Sequence, residues 1–180
     1  LLVGFVVGTV GCGDSADDES DGTKSPPEVT SSVEIPDGDQ WAIKLSGGLS
    51  GTYSGTSTSV FTINDNLNVL GLGLGIEEDE PAIVFQLRAE RGETGAMWTD
   101  GSTLEYGDKS YVAGEVYSDS GGAPVDEVGK APGVSFETHT EERIKGICSG
   151  SFAHLKTAKD GSTMKAGESV TFECAFDIER

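Results

Sequence analysis

Apolar and polar positions alternate with a period of two in several short stretches of this chain. Trp41, Ile43 and Leu45 fall on one side of such a pattern, as do Phe61 and Ile63, and Ile83, Phe85 and Leu87. That period places each set on one face of a β-strand. Turn-forming pairs interrupt the alternation at intervals: Asp37-Gly38, Gly47-Gly48, Arg91-Gly92, Asp100-Gly101, Gly121-Gly122 and Asp160-Gly161. No long amphipathic helical stripe is present. The pattern predicts an all-β fold, an antiparallel β-sandwich or barrel-like meander, in a single domain over residues 40–180. Leu70-Gly71-Leu72-Gly73-Leu74-Gly75-Ile76 fits the same rule. As a strand it carries branched residues on one face and bare glycine on the other. Its spacing matches neither the dinucleotide fingerprint nor a phosphate loop, which needs a following lysine.

The first residues follow a different pattern. Residues 1–11 are apolar and small, too short for the ~20 residues of a membrane-spanning helix and of the length of a signal-peptide core. Cys12 follows, and then the acidic run Gly13-Asp14-Ser15-Ala16-Asp17-Asp18-Glu19. This change of solvent preference at a cysteine resembles the cleavage region of bacterial lipoproteins. Val10 and Gly11 suit the small residues of that family's motif, while Thr9 stands where leucine is usual. The resemblance implies that residues 1–11 are the remnant of a signal peptide, with the chain beginning inside it. It also implies that Cys12 carries acyl chains as a membrane anchor. Gly13 in place of aspartate implies an outer-membrane or cell-surface address, with the domain periplasmic or extracellular.

Residues 12–39 are rich in Asp, Glu, Ser, Thr and Pro, and the composition predicts an acidic flexible tether. Asp17, Glu19, Asp21, Gly22 and Glu28 approach the spacing of a calcium loop, but Pro26-Pro27 interrupts it and no helix is expected on either side. The formal net charge is −19, from 31 acidic and 12 basic residues. So negative a chain repels phosphate backbones, which argues against a nucleic-acid partner. The charge serves solubility or attracts cations and basic partners.

With Cys12 assigned to the anchor, Cys148 and Cys174 remain as a pair in an oxidising compartment. A register test joins them. If residues 144–155 and 167–178 form a hairpin about Asp160-Gly161, Cys148 opposite Cys174 also sets Phe152 opposite Val170 and Ile144 opposite Ile178. Gly150 then faces Phe172 and Gly146 faces Phe176, all on one face of the sheet. The rival reading takes Gly146-Ile147-Cys148-Ser149-Gly150 as a nucleophile elbow, with His139 or His154 as its base. That motif needs a strand before it and a helix after it.

Other chemistry is sparse. Ser162-Thr163-Met164-Lys165 spells a serine–lysine motif but falls in the expected hairpin loop. Two histidines and a bridged cysteine pair leave no zinc or haem set, and no cofactor is expected. Glu77-Glu78-Asp79-Glu80 and Asp126-Glu127 are candidate calcium loops. Trp41, Trp98, Tyr106, Tyr111 and Tyr117 are candidate glycan-stacking aromatics. The expectation is an envelope lipoprotein with a non-catalytic binding, adhesion or structural role, partnered by the membrane and by an envelope protein or glycan. A carbohydrate- or calcium-binding module is the alternative, and a thiol hydrolase at Cys148 the third reading.

Overall fold

In the computed structural model, residues 25–56, 58–64, 69–75, 81–89, 92–116, 126–128, 132–157 and 163–180 are described. They contain no helix. Eleven strands are present: β1 (Gln40–Gly47), β2 (Gly51–Gly55), β3 (Thr58–Asn64), β4 (Val69–Leu74), β5 (Ala82–Arg88), β6 (Gly95–Tyr106), β7 (Lys109–Val116), β8 (Asp126–Val128), β9 (Gly133–His139), β10 (Arg143–Thr157) and β11 (Thr163–Glu179). All pair antiparallel in one sheet of order β2-β1-β11-β10-β7-β6-β5-β4-β3, with β9 also beside β10 and β6 and β8 beside β7. The all-β antiparallel class therefore holds.

The sheet rolls so that its two halves face one another. Phe85 of β5 meets Phe172 of β11 at 5.9 Å between ring centroids, and Tyr53 of β2 meets Tyr106 of β6 at 5.7 Å. The interior is filled by the alternating positions read from the sequence: Trp41, Ile43 and Leu45, then Leu70, Leu72 and Leu74, then Ile83, Phe85 and Leu87, all buried. The intervening outward positions of β1 and β11 carry Lys44, Thr171, Glu173 and Glu179. An apolar inside and a charged outside is what a packed barrel or sandwich requires.

The long β10–β11 hairpin has the register deduced from the cysteines. Cys148 pairs with Cys174, Phe152 with Val170, Ile144 with Ile178, Gly150 with Phe172 and Gly146 with Phe176. The two sulfurs are bonded, with Cα atoms 4.9 Å apart. Gly146 has no room for a side chain: a Cβ there would lie 3.1 Å from the Phe176 ring and closer still to the Ser135 carbonyl oxygen. Beyond Ala153 the ladder shifts, and His154 bulges towards β7, where it pairs with Tyr111.

One column of the sheet is shared by two strands. Between β6 and β10, β9 fills one end and β7 the other. β6 pairs with β9 through Gly95–Trp98 and with β7 through Ser102–Tyr106. β10 pairs with β9 up to Ser149 and with β7 from Ala153. At the junction the Thr99 N–H and hydroxyl both donate to the Pro132 carbonyl at 3.1 Å, and Ser102 Oγ donates to Thr99 Oγ1 at 2.9 Å. Buried hydroxyls thus satisfy the backbone where the ladder changes partner.

Residues 25–39, expected as the second half of a flexible tether, form a strap across the outside of this sheet. The strap itself alternates. Pro27 is buried and Val29, Ser31, Val33 and Ile35 are half-buried, while Glu28, Thr30, Ser32 and Glu34 are exposed. Residues 12–24, Cys12 among them, lie outside the described residues.

Two outcomes check this architecture. Replacing both cysteines (Cys148→Ala with Cys174→Ala) opens a link across 26 residues and is expected to cost about 3.5 kcal/mol in urea unfolding. A loss well under 1 kcal/mol would show that the ladder holds without the bond. Gly146→Ala is expected to cost about 1–3 kcal/mol by overpacking. Trimming the ring above it (Phe176→Leu) should not restore stability, because the Ser135 carbonyl still occupies the space.

Candidate functional site

A row of cross-strand neighbours runs over the outer face, perpendicular to the strands. Trp98 of β6 lies opposite Gly133 of β9, Gly133 opposite Ser149 of β10, Ser149 opposite Glu173 of β11, and Glu173 opposite Lys44 of β1. The strap follows this row. The Trp98 indole N–H donates to the Ser25 carbonyl at 2.9 Å. Pro27 and Val29 occupy the space that a side chain at Gly133 would need. Ser32 donates to Glu173 Oε2 from its N–H at 2.6 Å and its hydroxyl at 2.5 Å, and Lys44 Nζ donates to Ser32 Oγ at 3.0 Å. From Trp98 to Glu173 is three strand intervals, about 14 Å, and an extended chain from 25 to 32 reaches about 23 Å, so the strap can span the row.

A second polar lock holds the far end of the strap. Asp177 is buried on the outer side of β11. Arg143 donates to both of its oxygens, from Nε and Nη2, at 2.6 Å each. Fork-to-carboxylate pairing of this kind is charge-assisted and directional. The Gly38 N–H also donates to Asp177, and the Glu179 N–H donates to Asp39 Oδ1 at 3.3 Å. The Arg143 hydrogen bonds hold the Asp177 carboxyl below its ordinary pKa against the opposing effect of burial. The Ser32 hydroxyl and N–H hold Glu173 below its ordinary value in the same way.

Beside the strap lies an open groove of about 500 Å³. Its floor is Ser149 and Ser151 of β10 with Thr171 of β11, and Ser151 and Thr171 are direct cross-strand partners. Glu28 and Thr30 of the strap form one wall, and half-buried Trp98 stands with Gly133 at the β6–β9 end. The groove coincides with the change of partner on β10 between Ser149 and Ala153. No Lys, Arg or His is among its lining residues, whereas Glu28 and Glu173 are.

The other sequence candidates are distributed differently. Trp41 and Tyr111 are fully buried and are core residues, so the five aromatics do not form one platform. Tyr111 stacks near His154 at 5.3 Å and reaches Glu168 Oε1 with its hydroxyl at 3.4 Å, and burial pushes its pKa up. Tyr106 packs on Tyr53, and Tyr117 lies outside the described residues. Trp98 alone of the five lines the groove. Cys148 is bonded to Cys174 and sits inside a continuous 15-residue strand, so neither the thiolate nor the strand-to-helix turn of an elbow is present there. His139 is buried against Phe136, with ring centroids 5.0 Å apart.

Among the described residues no three of His, Cys, Asp or Glu gather as a metal site. Glu77–Glu80, Asp17, Glu19, Asp21 and Gly22 lie outside the described residues, while Glu28 lies on the strap. Asp126 and Glu127 are in β8, opposite Val116 and Glu115 of β7. Ser162 lies outside the described residues, and Thr163–Lys165 pair with β10 at the start of β11. Sequence reasoning missed the strap and the groove, although the period-two alternation of residues 27–35 marks the strap.

Both carboxylates that hold the strap titrate below their ordinary values. A lowered folded-state pKa gives stabilisation that is complete above the unfolded value and lost as pH falls through the folded one. The strap should therefore stay docked at neutral pH and loosen on acidification below about pH 4, followed by Trp98 emission. Glu173→Gln should flatten part of that acid response, leaving the part due to Asp177. An unaltered acid profile in Glu173→Gln would remove Glu173 from the lock. Comparisons with protein-family models, with curated proteins and with solved structures returned no match, so function is argued from the chain's own chemistry.

Proposed function

We propose that the protein is a lipid-anchored cell-envelope protein, held on a bilayer through Cys12, whose β domain serves a non-catalytic role in binding, adhesion or envelope structure. The observation that carries this reading is the abrupt change at Cys12, from eleven apolar or small residues to an acidic run. Three further features support it. A disulfide in the core suits an oxidising compartment outside the cytosol. It also ties up Cys148, the thiol on which a hydrolase reading depended. Twelve residues separate Cys12 from the strap, and at about 3.5 Å per residue they reach up to about 40 Å, enough to hold the domain clear of lipid head groups. The high negative charge disfavours contact with anionic lipid beyond the anchor itself. Among binding, adhesion and structure, the groove beside the strap favours binding.

Peptide mass mapping of protein purified from membranes tests the anchor. The expected result is acyl mass on the peptide beginning at Cys12, and release of Cys12→Ser into the soluble fraction. An unmodified Cys12 in membrane-derived protein overturns the reading.

A further inference from the structure

The geometry points to the groove beside the strap as a binding site for a neutral, flat pyranose chain. This assignment deepens the non-catalytic binding reading and rests on it. A sugar ring offers an apolar C–H face and a rim of hydroxyls. It therefore needs an aromatic surface next to short donors and acceptors. The groove supplies both. Trp98 faces outward because its cross-strand partner Gly133 lies in the outward row with Ser149 and Glu173, while the neighbouring pair Met97 and Val134 belongs to the core. Its indole is fixed by the bond to the Ser25 carbonyl, so the stacking surface is set before any ligand arrives, which limits the entropy lost on binding. The hydroxyls of Ser149 and Thr171 rise from rigid strands two residues apart in the ladder frame. Glu28 adds an exposed carboxylate acceptor from the strap.

The charge of the site selects within the class. Glu28 and Glu173 line the groove and no cationic side chain does. A uronate, sialylated or phosphorylated sugar would bring like charge against like with no lining cation to offset it. Such unpaired repulsion is how binding surfaces exclude close relatives of their ligand. The volume, about 500 Å³, lies within the range of roughly 300–1,000 Å³ usual for small-molecule sites, and the open side lets a chain run past.

The chain carries two tryptophans, and they separate the signals. Trp41 is fully buried in the core, while Trp98 lines the groove. Titrating the full-length protein with a β-1,4-linked glucose tetramer should give a saturable change in Trp98 emission. A galacturonate tetramer of the same length should give at least tenfold weaker binding. Trp98→Ala should lose the tetramer at least tenfold while the buried emission of Trp41 reports a folded core. Thr171→Val, at an exposed position, should weaken binding without changing the melting temperature. Glu28→Lys should admit the galacturonate tetramer. The assignment is overturned by a flat titration of the folded wild type with both tetramers, by equal affinity for the two, or by undiminished glucose-tetramer binding in folded Trp98→Ala. A protein acylated at Cys12 that ignores both tetramers sinks the groove and leaves the anchor standing. One that binds the glucose tetramer but carries no acyl mass does the reverse.

Discussion

The pairing of β10 with β11 is the constraint on which the remaining structure rests. The two strands are the longest in the sheet, 15 and 17 residues, and their inward face carries the buried rings of Phe152, Phe172 and Phe176. A slip of β11 by one residue would turn Phe172 and Phe176 out to water and bring Thr171 and Glu173 in. Gly146 and Gly150 make the correct register the one that fits, since the Phe176 and Phe172 rings lie over them. The Cys148–Cys174 bond closes the same register covalently. Everything else is placed from this ladder. β1 lies on the free side of β11, and β9 and β7 divide the free side of β10.

That division creates the site. A single continuous strand between β6 and β10 would carry an unbroken row of side chains past Ser149 and leave no groove. Splitting the column puts Pro132, Gly133 and Gly150 at the junction, where a Cβ at Gly150 would lie 2.8 Å from Pro132 Cα. Small residues and a change of partner lower the surface there, and Thr99, itself bonded by the Ser102 hydroxyl, satisfies the Pro132 carbonyl at the break. The strap then lies along one side of the depression and turns it into a groove. Its position follows from fixed points spaced across four strands: Ser25 on Trp98, Pro27 and Val29 over Gly133, and Ser32 on Glu173.

The hairpin was legible in the sequence because its evidence is redundant: two cysteines, two glycines and six apolar side chains satisfy one register and no neighbouring one. The strands of Trp41–Leu45, Leu70–Leu74 and Ile83–Leu87 were legible by alternation alone. The strap was not read, since its small and polar composition outweighed a period-two pattern made of Pro27, Val29, Val33 and Ile35. Its inward side chains are few, and its attachment depends on Glu173 and Asp177, whose role appears only once β11 is in place. The groove depends on contacts between residues as distant in sequence as Trp98 and Ser25, or Ser32 and Glu173. No local periodicity encodes such a meeting. For the same reason the aromatic platform dissolved: alternation marks Trp41 and Tyr111 as strand residues but does not say that both lie fully inside.

The strap joins two properties that would otherwise be separate. It is the segment through which a lipid at Cys12 would hold the domain, and it is also a wall of the groove. A ligand touching Glu28 or Thr30 together with Thr171 binds only when the strap is docked, so occupancy and docking stabilise each other. For a ligand at 100 times its dissociation constant this linkage is worth about 2.7 kcal/mol, more than a typical hydrogen bond contributes. The coupling runs both ways. Tension applied through the anchor would act first at Ser25, the strap's contact with Trp98, and so at the stacking residue of the groove. On the proposed reading, a ligand in the groove would be held most firmly when the anchor is slack.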